Sequence, residues 1–172
     1  AQTGTLAYTG GTIGAGGVTI EVAGSKGTQQ LSFASGTTTT QIATAITAIT
    51  EATGVSAIVS GGNLRITSTG FGSSEFVSVR ALAGTFTVTG GVSGKDYGSD
   101  ATVSINGAAA QANGTSISYR SGGLDVEFDL DSAFNVAGST TFNITGGGAS
   151  FSLGSKVTEA DKESLGVGSV ST

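Results

Sequence analysis

At 172 residues the chain can form one domain or two small ones, and it is 37% hydrophobic but only 11% charged, with a net charge of −5. It contains no His, Cys, Met or Trp, which removes Ser-His-Asp triads, thiol nucleophiles, disulfides and the usual zinc sites. The negative charge argues against nucleic acid or an anionic membrane as partner, so solubility must come from Ser, Thr, Asn and Gly.

Thirty Gly with no Pro indicate many left-handed or primed turns. The chain opens on Ala, with no leader and no apolar run of membrane-spanning length, and is expected to be a processed product or an excised piece. Residues 1–16 read as loop with one short strand near Thr5 to Thr9. In GVTIEVAG, Val18, Ile20 and Val22 alternate with Thr19 and Glu21, the pattern of a half-buried strand. Ser25-Lys26-Gly27 turns the chain, and Leu31 and Phe33 share a face of the returning strand.

The segment TTTTQIATAITAITEATG predicts the one main helix, at about 38–53. Ile42, Ala45, Ile46, Ile49 and Ala52 form an apolar stripe, Thr37 to Thr39 offer caps, and Gly54 is a left-handed stop. A Thr- and Ile-rich helix of this length is marginal alone. Burial of Ile42, Ile46 and Ile49 against a curved sheet, at roughly 1.5–3 kcal/mol each, is expected to hold it. VSAIVSGGNLRITS reads as a hairpin, and EFVSVR and TFTVT as two further strands. Gly90 to Asp100 is Gly-rich, polar and without period, and is taken as a boundary.

Beyond it, TVSING, TSISYRS, LDVEFDLD, TTFNIT and ASFSL are short strands separated by Gly signals, which favours antiparallel hairpins. Asp131 to Val136 could supply one turn of helix, and from Gly154 the sequence turns charged, like a solvated connector. The expected class is therefore α+β, mostly antiparallel β. Its units are a helix-containing one at 1–95, an all-β one at 96–153 and a connector at 154–172.

Few residues suggest chemistry. In LDVEFDLD, Leu124, Val126, Phe128 and Leu130 fall on one face and Asp125, Glu127, Asp129 and Asp131 on the other. Same-face neighbours on a strand lie about 7 Å apart, too far for one ion to be clasped by adjacent pairs. The leading reading of this face is a solvated edge that discourages stray pairing, followed by a charged subunit contact. A glycosidase carboxylate pair ranks behind both. Asn113-Gly-Thr and Asn143-Ile-Thr match the glycosylation sequon. Phe33, Phe71, Phe76, Phe86, Phe128, Phe142 and Phe151 fall mostly on strand faces and are assigned to core rather than to a ligand platform. No metal or cofactor site is expected.

Two stretches carry a family resemblance. Residues 17–69, from GVTIEVAG through the Ile-striped helix to GGNLRITST, resemble the short module of bacterial flagellins and of the filament cap protein: a hairpin, a helix, then a hairpin ending in a Gly-x-Leu-x-Ile-x-Ser strand. The hook IN-type motif is accordingly assigned to 17–80. SINGAAAQANGTSISYRSGGLDVEFDLD with FNITGGGASFSLGSKVTEADKESLGVGSVST is similar to the end of the variable region of large flagellins. There a segment like Ser164 to Val170 leads back into the helical filament core.

The resemblance implies a structural, non-catalytic middle domain, exposed on the outside of the extracellular flagellar filament. Its partners would be neighbouring flagellin subunits, met mainly through helical regions absent from this chain, and the isolated fragment is expected to be monomeric. A chain exported unfolded benefits from lacking cysteines and slowly isomerising prolines. The alternatives are the middle domain of the filament cap protein and a glycan-binding bacterial or phage adhesin domain.

Overall fold

The computed structural model describes residues 1–131, 136–143, 149–152 and 162–165. Strands β1 (Thr5–Tyr8), β2 (Val18–Gly24) and β3 (Gly27–Phe33) precede two consecutive helical segments, α1 (Thr39–Ala48) and α2 (Thr50–Thr53). Then come β4 (Val55–Ser60), β5 (Asn63–Ser68), β6 (Phe76–Ala83), β7 (Val88–Thr89) and β8 (Lys95–Tyr97). The fold is α+β and mostly antiparallel, as the strand and helix patterns imply.

Instead of one curved sheet there are two of four strands each, in the orders β4-β5-β1-β7 and β3-β2-β6-β8, with every pairing antiparallel. Strands β1, β2, β5 and β6 turn alternate residues inward. Leu6 and Tyr8, Ile20 and Val22, Leu64 and Ile66, and Val77 and Val79 meet Ile42, Ala43 and Ile46 of α1 in one core.

The helix starts where its chemistry allows. Thr38 is the N-cap, its hydroxyl accepting from the Gln41 backbone N–H while the Gln41 side chain accepts from the Thr38 N–H, a complete capping box. It does not run unbroken to residue 53. At Ile49 the N–H returns to Ile46 and Thr47 carbonyls, and a separate turn follows that stops at Gly54, where φ is 74°. The break rotates the buried stripe. Ile42, Ala43 and Ile46 are buried, Ile49 is half-buried against the core, and Ala52 faces solvent where the uninterrupted stripe placed it inside.

The region expected to be a boundary is not free of structure. Lys95–Tyr97 closes one sheet against β6, and Gln2 pairs with Ser99, so the pairing of the two-sheet part continues to residue 99. Of TFTVT only Val88–Thr89 is strand, while Phe86, in the irregular stretch before it, is buried and stacks on Tyr8 with ring centroids 3.9 Å apart. Burial raises the Tyr8 phenol above its ordinary pKa.

Past residue 99 every described element is a β-strand. A hairpin joins β9 (Ser104–Ile105) to β10 (Ala108–Ala109), and β11 (Gln111–Asn113), β12 (Ser116–Ser121) and β13 (Leu124–Asp129) form an antiparallel sheet. Asn106 and Gly107 both have positive φ, 51° and 84°, as a two-residue primed turn demands. β14 (Ala149–Ser152) pairs antiparallel with β15 (Lys162–Leu165), so a strand lies within the stretch expected to be connector. Thr140 to Asn143, expected as strand, are not in one. The helical turn expected at 131–136 falls largely on residues outside the described ones, as does most of 154–172.

Candidate functional site

The acidic face on β13 has the geometry of a solvated strand. Asp125, Glu127, Asp129 and Asp131 are exposed, and Leu124, Val126, Phe128 and Leu130 are half-buried. Across the β12–β13 ladder Asp125 meets Arg120 in an ion pair of 2.9 Å, while Glu127 and Asp129 stand opposite Ser118 and Ser116. No carboxylate faces another across this ladder. Among the described residues no group of three or more His, Cys, Asp or Glu could hold a metal ion. The Arg120–Asp125 pair is well exposed on both sides, and an exposed pair of this kind contributes little to stability. Asn113 and Asn143 are both exposed. Asn113 ends β11, beside a residue that turns out to matter more.

That neighbour is Gly114, whose N–H donates to Asp100 Oδ1 at 2.7 Å. The same carboxylate accepts from the Ser73 N–H at 3.0 Å and from its hydroxyl at 2.6 Å. Ser73 lies between β5 and β6 and Gly114 between β11 and β12, so one side chain ties these two connections together. The closeness is steric too, since a Cβ on Gly72 would lie 2.7 Å from the Gly114 Cα. The Ser73 hydroxyl, then the two backbone donors, bring the Asp100 carboxyl from 3.8 down to about 2.

A lowered carboxyl pKa means the folded state favours the charged form. Its stabilising effect is therefore complete above the ordinary carboxylate range and is lost as pH falls through about 2. Melting of wild type and Asp100→Asn is expected to differ by a constant amount above about pH 5 and to converge between pH 4 and 2. A difference that stayed constant down to pH 2 would remove this carboxylate from the junction's energetics. Sequence reading placed Asp100 in a boundary and gave it no role.

The threonines after the helix start form a second unforeseen feature. Thr47 Oγ1 donates to the Ala57 carbonyl at 3.1 Å and accepts from the Ala57 N–H at 3.4 Å. Thr50 Oγ1 donates to the Val55 carbonyl at 2.8 Å, and the Val55 N–H donates to Thr53 Oγ1 at 3.2 Å. These are backbone groups on the outer side of β4, an edge strand that would otherwise invite pairing. The helix seals that edge with hydroxyls. Replacing Thr47 and Thr50 together by Val keeps the shape but unseals the edge. With each net hydrogen bond worth about 0.5–1.5 kcal/mol, a loss of roughly 1–3 kcal/mol is expected in chemical denaturation, with increased aggregation.

Beside this junction lies a groove of about 640 Å³ lined among others by Gln2, Ser99, Phe128, Leu130 and Phe142. Phe142 is half exposed and meets Phe128 at 6.1 Å between ring centroids, so it is not the core residue that its sequence setting implies. No helix is long and apolar enough to cross a membrane among the described residues.

Comparison with known families places these features. Residues 8–70 match the family model described as the flagellin hook IN motif. The match runs from Tyr8 at the end of β1 through both hairpins and the helix to Gly70 just after β5, starting earlier and ending sooner than the 17–80 assigned from sequence. No curated protein and no solved structure matches the chain. The sealed-edge helix, its two flanking hairpins and the β1 residue that stacks on Phe86 all lie within the matched segment, so over residues 8–70 the chain carries a flagellin hook IN motif.

Proposed function

We propose that this chain is the surface-exposed middle domain of flagellin, a non-catalytic part of the extracellular flagellar filament, whose partners are neighbouring flagellin subunits. The observation that carries the reading is the hook IN match over 8–70, in a unit whose first and last segments pair at Gln2 and Ser99. A unit closed on itself in this way can be inserted within a longer chain without disturbing the elements on either side. The exposed residues of β3, β12 and β13 are mainly Ser, Thr, Gln and charged groups, which suits display in many copies.

Antibodies raised against the folded chain, followed by gold labelling of the cells that make it, test the reading. Decoration along the whole filament is expected. Label confined to the filament tip would assign the domain to the cap protein, and label on the cell body alone would favour an adhesin; either result overturns the proposal.

A further inference from the structure

The two four-stranded sheets present edges of different character. β4 is sealed by Thr47 and Thr50, and β7 and β8 are only two and three residues long. β3 is different. It runs seven residues without a break in its register against β2, and Gly27 to Phe33 include no charged side chain. Lys, Glu, Pro and bulges are the usual devices that keep an edge strand from pairing, and β3 uses none of them.

Its direction of reach follows from the turn. Gly24 and Gly27 flank the two-residue Ser25-Lys26 connection and pair with each other, so Gly27, Gln29, Leu31 and Phe33 bond back to β2. The N–H and C=O groups of Thr28, Gln30 and Ser32 then point outward. The side chains of these three residues, together with Gln29, are exposed.

We propose that β3 pairs antiparallel with β3 of a second copy of this chain, about a two-fold axis at Gln30, so that two sheets become one. The strand is its own complement in that register. Gln30 faces Gln30 of the other copy, where two amides can donate and accept, and Thr28 faces Ser32. No like charges meet. A charged partner strand would find nothing here to pair with, whereas an identical strand meets only uncharged polar groups. Three outward residues per copy make a weak contact in free solution, strengthened when copies are held close together. The inference does not rest on the flagellar reading, because it concerns the chain in solution.

The absence of cysteine gives a clean test. Residues facing each other in an antiparallel ladder lie about 5.5 Å apart at Cα, within disulfide range. Gln30→Cys under mild oxidation at high protein concentration is expected to give about tenfold or more disulfide dimer than Thr40→Cys, an exposed thiol on α1. Adding Thr28→Lys and Ser32→Lys to Gln30→Cys sets like charges opposite each other and should abolish the excess. Equal dimer from Gln30→Cys and Thr40→Cys, or an excess that survives the lysines, overturns the proposal. Unmodified chain provides an independent reading by amide exchange. Protection of the Thr28, Gln30 and Ser32 amides should rise with concentration while that of Gln29 and Leu31 stays constant, and no concentration dependence would also overturn it.

Discussion

Ile46→Asp is expected to unfold the two-sheet region that α1 packs into. Ile46 is fully buried, on the α1 face that packs among strands of the β4-β5-β1-β7 sheet and the core they share with β2 and β6. A carboxylate there has no buried cation to pair with, because the buried polar or charged side chains among the described residues are Thr53 and Ser68. Keeping it charged in that setting, or protonating it to avoid the charge, costs several kcal/mol, and the lost isoleucine contacts add to this. Domains of this size are stable by only about 5–15 kcal/mol, so the change consumes most of the margin. Ile46→Ala isolates the packing part, expected at about 2–5 kcal/mol. Ile49→Asp should cost less than Ile46→Asp, since Ile49 is only half-buried. Circular dichroism and the near-ultraviolet signal of the stacked Tyr8 and Phe86 report the loss. A cooperative melt for Ile46→Asp near that of wild type would mean the helix is not held by this core.

Much of this packing is legible in the sequence, for local reasons. The alternation in VTIEVAG fixes which face of β2 is buried whatever strand lies beside it, and the turn residues Gly61 and Gly62 set the β4–β5 register to within the hairpin. Capping was equally local, since Thr38 and Gln41 are three residues apart. What stayed hidden needed contacts distant in sequence. Nothing in TLAY says that Leu6 will lie opposite Ile66, and that pairing is what divides the expected single sheet in two. The break at Ile49 was masked because apolar residues recur at helical spacing on both sides of it, and only the positions of Val55 and Ala57 show why Thr50 and Thr47 must turn toward β4. Asp100 looked like any acid in a Gly-rich loop because its two anchors, Ser73 and Gly114, lie on either side of it in sequence at loop positions with no pattern. The acidic alternation on β13 could be read directly, but the choice of Arg120 as partner for Asp125 depends on the β12–β13 register.

Gly24→Ala is expected to destabilise the same region through overpacking, with no charge involved. Gly24 ends β2 where β4, β6 and the end of α2 converge, and it is buried. A Cβ at this position would overlap the Thr53 carbonyl oxygen, lie 2.7 Å from Val55 Cγ2 and 3.2 Å from the Phe76 carbonyl oxygen. Two of these three obstacles are backbone atoms, which cannot swing aside as a flexible side-chain tip can. Thr53 is further pinned, because its carbonyl accepts from the Lys26 N–H at 3.2 Å and its buried hydroxyl bridges Ile49 and Val55. Relief must come from moving α2 away from β2, which loosens the hydroxyl contacts on β4 as well. Inserting one carbon into a packed site typically costs about 1–3 kcal/mol, and the coupling to α2 sets the expectation at the upper end or above. Gly14→Ala serves as the contrast, for its Cβ meets nothing within 4 Å and its φ is not in the left-handed region. That substitution should be neutral or stabilise by up to about 1 kcal/mol through a less disordered unfolded chain. Denaturant midpoints of the two variants are thus expected to move in opposite directions or, at the least, only that of Gly24→Ala to fall. A Gly24→Ala midpoint at the wild-type value would show that the β2–α2 approach has slack enough to admit a methyl group.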